Sequence, residues 1–361
     1  MTDLRDIAER DGMMAAQQSG KQKGKRRGKQ SVAYERPVYI NASASIAGKK
    51  EGEGPLAELI DMIGEDDLFG CNTWEEAESS LQKDAVYLAM GKAELESKEI
   101  QYLFAGDLLG QSIATSFGIM TYEIPLFGLY GACSTCGESL SLGSMVIDGG
   151  FAQNVICVTS SHFASAEKEF RNPLEYGSQR PLSATWTVTG SGAFVLGREP
   201  GKHVRAAITG ITTGKIVDYG LKDSMNMGCC MAPAACNVIY QNFIDFGRQP
   251  SDYDKIITGD LGSIGQRALI DLVAEKGYDI SDTHMDCGMQ IYDPETQDTH
   301  AGGSGCGCAA VTLSSYILKQ IEEKKWKRVL FIPTGALLSK TSFNEGKTVP
   351  GIAHGVVIES V

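Results

Sequence analysis

Apolar and polar positions along the chain alternate in a way that predicts strands and helices in regular succession. Residues 102–111 (YLFAGDLLGQ) begin with an apolar run that ends in Gly-Asp-Leu. Residues 154–161 (NVICVTSS) and 328–335 (RVLFIPTG) are β-branched runs that end in polar residues. Segments of small residues precede both of these runs and predict helices. Strand–helix alternation of this kind favours a mainly parallel sheet with right-handed crossovers.

The same order of elements occurs twice: strand, helix, strand, and then a strand entered through glycine. The offset between the copies drifts, and we interpret residues 280–300 as one insertion that causes the drift. A repeat of half the chain length predicts two similar α/β halves, which we place at residues 34–200 and 201–361. Three pairs of segments match in the same order, namely 102–111 with 256–265, 131–135 with 305–309, and 189–197 with 352–360.

The two helices that follow GACST (131–135) and GCGCA (305–309) carry few large side chains. Gly137 and Gly143 would each cost roughly 1 kcal/mol in an exposed helix interior. Their presence therefore indicates a buried helix whose neighbours approach closely. The predicted arrangement is two sheets that enclose a pair of central helices.

The composition is that of a globular protein, with 42% hydrophobic and 22% charged residues in a chain of 361. A net charge of −12 argues against a general nucleic-acid binder. The ten cysteines come without a signal peptide or an apolar run long enough to span a membrane, which indicates a reduced intracellular protein. Cys306 and Cys308 form a CxC pair, but no matching ligands follow at zinc-site spacing, so we expect no metal site.

Residues 1–33 form a polar tail that contains the basic tract KQKGKRRGK at residues 21–29. Six positive charges in nine residues are typical of a disordered, solvated arm. The alternative is a tether that binds anionic lipid or RNA weakly. The folded part of the chain is predicted to begin between Tyr34 and Pro37.

Nine short motifs together carry a family resemblance: GLYGACST at 128–135, TSSH at 159–162, EYG at 175–177, TVTGSGA at 187–193, GDL at 259–261, DCG at 286–288, AGGSGC at 301–306, TGALLS at 334–339 and IAHGVV at 352–357. With them the chain resembles the thiolase fold, and more closely the stage V sporulation protein AD family of spore-forming bacteria. The resemblance extends from about residue 35 to the C-terminus. It implies a thiolase-like α/β fold in which two pseudo-repeated halves form five layers in the order αβαβα.

The family is implicated in moving dipicolinic acid into the developing forespore, together with membrane proteins of the same operon. The resemblance therefore implies a soluble protein that binds dipicolinic acid, with or without calcium, and we expect no cofactor. It also implies a homodimer in the cytoplasm of the forespore or mother cell, attached peripherally at the inner spore membrane.

Cys133 is the candidate nucleophile if the chain is instead an acyl-thioester condensing enzyme. It lies just before a predicted helix N-terminus, where the helix dipole lowers the pKa of a thiol. Related condensing enzymes carry His or Asn where this chain has Asp260, and an aspartate there would raise the pKa of the thiol. His354 falls where thiolases carry a second cysteine and could activate Cys133. The plainer alternatives are a small buried residue at Cys133 and a structural hydrogen bond at His354.

Candidate ligands for the two carboxylates of dipicolinic acid lie in the segment 167–181. An Arg side chain binds a carboxylate through two parallel hydrogen bonds, although an exposed basic loop is the plainer interpretation of this segment. His162 and His284 are predicted to reach the pocket mouth, whereas His203 and His300 are predicted to lie on the surface. The candidates within the segment are Arg171, Tyr176, Gln179 and Arg180.

Met225, Met227 and Met231 occur at near-helical spacing and are predicted to be core residues, with an adaptable apolar pocket wall as the alternative.

Two functions are open at this point. The first is a dipicolinate-binding protein that has kept the pocket cysteine of a catalytic scaffold. The second is a condensing enzyme of the thiolase or ketoacyl synthase type with Cys133 as its nucleophile.

Overall fold

The structure is a computed structural model, and it describes residues 25–170 and 179–361. Its strands are β1 Arg26–Arg27, β2 Ser31–Ala47, β3 Met62–Ile63, β4 Tyr102–Gly106, β5 Leu126–Gly128, β6 Asn154–Ser161, β7 Trp186–Thr187, β8 Gly190–Gly197, β9 Ala206–Thr212, β10 Lys255–Thr258, β11 His284–Asp286, β12 Gly303–Ser304, β13 Arg328–Ile332, β14 Thr334–Ala336, β15 Gly351–Ala353 and β16 Gly355–Glu359. Its α-helices are α1 Trp74–Ala93, α2 Ile113–Ile119, α3 Thr135–Asp148, α4 Phe163–Phe170, α5 Met227–Phe246, α6 Gly262–Ala274, α7 Gly288–Ile291, α8 Cys306–Thr312, α9 Leu318–Glu322 and α10 Lys340–Asn344. A π-helical segment, Leu313–Ile317, joins α8 to α9.

The two halves have the same strand order. The first half is arranged β5-β4-β6-β8-β2 and the second β11-β10-β13-β16-β9. In each half the first three strands of that order pair in parallel, and the remaining pairs are antiparallel. This shared order confirms the predicted pseudo-repeat.

The long strand β2 joins the halves, because it pairs antiparallel with both β8 and β9. The hydrogen-bonded ladder is therefore continuous across the molecule, and the division at residues 200 and 201 stays a prediction. The segment 280–300 is more than an insertion, because it contains β11, the counterpart of β5 in the second half.

Alternate residues along the strands contact different hydrophobic cores. Val155 of β6 and Ile257 of β10 contact the central core, which also contains Leu140 of α3 and residues of α8. Their neighbours Ile156 and Ile256 face outward, toward the α1 side and the α5 side respectively. The layers are thus α1 with α2, a half-sheet, α3 with α8, a half-sheet, and α5 with α6, which confirms the five-layer αβαβα arrangement.

The central helix α3 is as buried as its small residues predict. A Cβ atom added at Gly137 would lie 2.8 Å from the carbonyl oxygen of His354, and one at Gly143 would lie 2.8 Å from the sulfur of Cys157. Both distances are shorter than a van der Waals contact, so only glycine allows α3 to approach its neighbours this closely.

Residues 25–33 are part of the folded structure, so the predicted disordered tail does not extend to residue 33. Strand β1 pairs with the start of β2, and the Asp245 carboxylate accepts hydrogen bonds from the N–H groups of Lys29 and Gln30, both at 2.9 Å. Lys25 forms an ion pair with Asp148 at 2.9 Å. The sequence missed these contacts because the partners lie far away along the chain.

Residues 1–24 lie outside the described residues. In the described ranges, no helix is both long and apolar enough to cross a bilayer.

Candidate functional site

Cys133 lies in a tight turn between β5 and α3, and its side chain is 7% exposed. The turn is fixed by local hydrogen bonds: the Ser134 hydroxyl donates to the Gly131 carbonyl at 2.7 Å, and the Thr135 hydroxyl donates to the Ala132 carbonyl at 2.6 Å. Ala132 adopts a left-handed backbone with φ of 49°. The sequence GACST therefore holds the thiol in a defined position at the start of the central helix.

Asp260 follows β10 and is fully buried. Its carboxyl group accepts a hydrogen bond from the Thr334 hydroxyl at 2.6 Å and another from the Gly305 N–H at 3.0 Å. Burial raises the pKa of Asp260 to about 7, despite the opposing effect of these donors and of the Cys133 thiol. Asp260 is therefore a carboxyl group that exchanges its proton near neutral pH.

The Cys133 thiol is neutral at physiological pH. Burial raises its pKa well above the ordinary value, and the nearby charge of Asp260 raises it further, while a hydrogen bond from the Gly305 N–H has the opposite effect. Asp260 thus raises the pKa of the Cys133 thiol, as expected from the sequence.

A small cavity of about 30 Å³ lies beside Cys133, between the two halves. That volume is close to the share of one water molecule in the liquid. The first half contributes Leu108, Cys133 and Glu167, and the second half contributes residues such as Met227 and Leu338. Thr185, just before β7, and Thr187 of β7 complete one wall.

The three predicted histidines are engaged in internal hydrogen bonds. Nε2 of His162 bonds the Asp67 carbonyl at 2.7 Å, and Nδ1 of His354 accepts from the Gly214 N–H at 3.4 Å. His284 lies in β11, where its ring nitrogens bond Thr258 and Gln266, each at 3.0 Å. Burial lowers the pKa of His284 and of His354 to about 4, so both rings are neutral. In the described part of the chain, none of the three is among the residues that line the cavity.

Arg180 lies on the other side of β7 from the cavity. Thr185 and Thr187 face the cavity, so Trp186 between them points away, and the Arg180 guanidinium stacks on its ring at 4.7 Å. Arg180 also bonds Asp298 at 3.1 Å.

The other predicted residues are scattered. Arg171 and Tyr176 lie outside the described residues, and Gln179 is exposed. Met227 lines the cavity, Met231 is a core residue of the second half, and Met225 is half-buried. His203 is exposed, as predicted, whereas His300 is half-buried and bonds the Pro181 carbonyl at 2.9 Å.

The sequence analysis missed a second buried carboxyl group in the first half. Asp107 follows β4, is fully buried, and accepts hydrogen bonds from the Thr115 hydroxyl at 2.6 Å and the Leu109 N–H at 2.8 Å. The Gly-Asp-Leu triplet occurs once in each half, and Asp107 is the middle residue of one copy as Asp260 is of the other. The repeat alone could therefore have identified it.

Comparisons with known proteins identify the family. The family model described as Stage V sporulation protein AD (SpoVAD) matches residues 28–359. The chain belongs to the SpoVAD family. The Stage V sporulation protein AD of Bacillus subtilis (strain 168) is 45% identical to this SpoVAD-family chain over 331 residues, which cover 92% of this chain and 97% of the relative. The predicted family resemblance is thus confirmed.

Solved structures confirm the thiolase-like fold of this SpoVAD-family chain. The 3-oxoacyl-[acyl-carrier-protein] synthase III of Aquifex aeolicus VF5 aligns with a TM-score of 0.55 and 16% identity, covering 89% of this chain and 99% of the synthase. An OleA variant of Xanthomonas campestris aligns with a TM-score of 0.56 and 14% identity, covering 91% and 99%. At these identities the similarity concerns the fold alone.

Proposed function

We propose that this chain binds dipicolinic acid in the cavity beside Cys133 and serves as the soluble, dipicolinate-binding component of an uptake system in sporulation. Membership of the sporulation family supports the biological setting. One buried pair carries the chemical argument, namely the neutral Cys133 thiol and the Asp260 carboxyl group, whose pKa is about 7.

Neutral donors suit a buried anion. The Cys133 thiol lines the cavity and can donate a hydrogen bond to a carboxylate of the ligand. Asp260 does not line the closed cavity, and in its protonated form it would donate once the cavity opens. The N-terminus of α3, a helix of 14 residues, adds positive potential beside Cys133. An ionised Asp260 would instead repel a dianion strongly in a poorly solvated cavity. The arrangement therefore favours anion binding at pH values below about 7.

Acyl-thioester condensation is the alternative function, and the pair of Cys133 and Asp260 argues against it. Condensation requires a thiolate nucleophile with a basic partner. Here burial and Asp260 raise the pKa of the Cys133 thiol, and the His354 ring is bonded to Gly214. The site is therefore better suited to hold a ligand than to form an acyl-enzyme.

The proposal requires the cavity to open. A pyridine ring with two carboxylates is much larger than the single water molecule that about 30 Å³ can hold. The walls that must move apart include α4, which contributes Glu167, and the loop that contains Leu108. We therefore expect the ligand-bound form to differ from the described one around α4.

We further propose that two copies associate through β5. This strand lies at one end of the sheet, and Leu126 and Phe127 are 43% and 49% exposed. An exposed apolar edge strand is a ready template for pairing with a second chain. The proposed place of action is the cytoplasm of the forespore or mother cell, at the inner spore membrane, with membrane proteins of the same operon as partners.

Calorimetric titration with dipicolinic acid tests the proposal, and it is run with and without calcium to ask whether the ligand binds as its chelate. Benzene-1,3-dicarboxylic acid, which lacks the ring nitrogen, and pyridine-2-carboxylic acid, which lacks one carboxylate, are the matched ligands. We expect saturable binding of dipicolinic acid that is at least tenfold tighter than that of either analogue.

A cavity-filling variant locates the site. Cys133→Phe should abolish binding, while Cys229→Phe, which places the same side chain at a half-buried cysteine of α5, should leave binding intact. Unchanged binding in Cys133→Phe would remove the cavity from the proposal. Stable acylation of Cys133 by acyl-CoA, without dipicolinate binding, would establish the condensing enzyme instead.

A further inference from the structure

A buried hydrogen-bond network holds α4 against the rest of the first half. The Glu78 carboxyl group on α1 is fully buried and accepts hydrogen bonds from two serine hydroxyls. One comes from Ser165 of α4 at 2.6 Å, and the other from Ser160 at the end of β6 at 3.0 Å. Glu78 is thus the buried polar contact between α4 and α1, while the Lys168–Glu75 ion pair joins the same two helices nearer the surface.

The network continues to the second buried carboxyl group. The side-chain amide of Gln82 donates to the Ser160 hydroxyl and to the Thr115 hydroxyl, both at 2.9 Å. Thr115 in turn donates its hydroxyl to Asp107 at 2.6 Å. Two carboxyl groups are therefore joined through one chain of hydrogen bonds inside the protein, and each one disfavours the ionisation of the other.

No cation in the described residues compensates these two carboxyl groups with an ion pair. Lys168, the basic residue of α4, forms its ion pair with Glu75 at 2.6 Å, and this pair lies toward the surface. Other titratable groups that interact with the network are Cys306 of α8, whose thiol is neutral because burial raises its pKa, and Tyr130, whose pKa is raised by burial and also by Asp107. The charge of Glu75 also raises the pKa of Glu78. Ionisation of Glu78 would therefore create a buried charge that has no ion-pair partner in the described residues and is stabilised by the hydrogen bonds from Ser165 and Ser160.

The same helix forms part of the cavity wall. Ala166 of α4 packs in one buried cluster with Cys133, Leu108 and Cys306, and Glu167 of α4 lines the cavity. Leu108 follows Asp107 directly in the chain. Both carboxyl groups thus hold elements that must separate when the cavity opens.

We propose that α4 is a proton-controlled cover of the Cys133 cavity, held closed while Glu78 and Asp107 share protons in the buried network and released when Glu78 ionises. This inference rests on the proposed binding site for its biological meaning, but the motion itself does not require any ligand.

The expected size of the effect follows from proton linkage. Burial first, and then the charge of Asp107, raise the pKa of Glu78 from 4.5 to about 8 in the closed form, despite the opposing effect of the hydrogen bonds from Ser165 and Ser160. An opening that brings Glu78 into water restores its ordinary pKa, so the open form binds fewer protons between these pH values. The opening equilibrium therefore increases about tenfold per pH unit between pH 6 and 7 and levels off near pH 8.

Hydrogen exchange of the ligand-free protein between pH 6 and 8 measures this opening, after correction for the intrinsic pH dependence of exchange. We expect the protection of α4 amides to fall about tenfold per pH unit in the wild type and to stay constant in Glu78→Gln, which keeps the shape without the titration. Helix α6, which packs against α5 on the opposite outer layer, is the internal control and should show no such trend. Equal pH responses of α4 in the wild type and Glu78→Gln would overturn the proposal.

Ser165→Ala is a second variant in case Glu78→Gln fails to fold. It removes the hydroxyl that joins α4 to Glu78, so α4 should lose protection already at pH 6. Unchanged protection at pH 6 would mean that Glu78 does not hold α4 and would overturn the proposal. Loss of dipicolinate binding with a normal exchange profile would count against the proposed function alone, because the exchange experiment contains no ligand.

Discussion

Asp107 and Asp260 occupy the same place in the two halves of the molecule. Each is the buried middle residue of a Gly-Asp-Leu triplet, and the triplets lie at the ends of the equivalent strands β4 and β10. Their surroundings differ. Asp260 interacts with Cys133 and accepts a hydrogen bond from Thr334, whereas Asp107 belongs to the network that includes Thr115. One copy of the repeated carboxyl group thus interacts with the cavity residue Cys133, and the other belongs to the hydrogen-bond network that reaches α4.

The pH dependence of dipicolinate affinity should report the protonation of Asp260. Burial raises the pKa of this group to about 7, and only its protonated form donates to the ligand. The dissociation constant should therefore be constant below about pH 6 and should increase up to tenfold per pH unit above pH 7. Asp260→Asn keeps a neutral donor, so its affinity should vary little with pH. Calorimetry from pH 5.5 to 8.5 measures both profiles, and a parallel pH dependence in the two proteins would refute the role of Asp260.

Cys133 should behave as an unactivated thiol. Because burial and Asp260 raise its pKa, iodoacetamide should modify Cys133 slowly at pH 7.5, and Asp260→Asn should accelerate the reaction by removing the nearby charge. Peptide mass spectrometry distinguishes Cys133 from the half-buried Cys71 and Cys229, which serve as internal references. Modification of Cys133 faster than both references below pH 8 would contradict this account.

The apolar edge strand β5 should control dimer formation. Phe127→Lys places a charge on the edge, and we expect a shift from dimer to monomer because a charged edge opposes strand pairing. Phe151→Lys is the matched control, since Phe151 is 75% exposed and lies outside β5. Sedimentation velocity measures the mass of each variant. A wild type that is monomeric at high micromolar concentration would exclude the proposed dimer.

Two deletions separate the basic tail from the folded chain. Removing residues 1–24 should leave stability unchanged, whereas removing residues 1–30 should lower the free energy of unfolding by roughly 1–3 kcal/mol, because Asp245 loses the N–H donors of Lys29 and Gln30. Urea denaturation measures the difference. Vesicle flotation of the shorter deletion then tests whether residues 1–24 contribute to membrane attachment. Unchanged flotation would assign the attachment to the remaining chain, which keeps Lys25, Arg26, Arg27 and Lys29 of the basic tract.

Much of the fold was predictable because the relevant signals are local. The apolar runs, the Gly-Asp-Leu triplets and the glycines of α3 each reflect the residues immediately around them, and together they indicated two similar halves around buried helices. The partners of the predicted site residues were not predictable from local signals. The rings of His162 and His284 form hydrogen bonds with Asp67 and Thr258, partners that no local pattern identifies.

The sequence by itself determined the repeat, the order of the elements, the family and the position of Cys133 at the start of a central helix, because all of these depend on residues close together in the chain. Only the tertiary structure decided that Cys133 meets Asp260 from the other half, that Glu78 lies beneath α4, and that Arg180 stacks on Trp186 away from the cavity. Such contacts depend on the order of strands in the sheet and on which face each side chain occupies. Burial then shifts the pKa values of these groups, and with them the chemistry of the site.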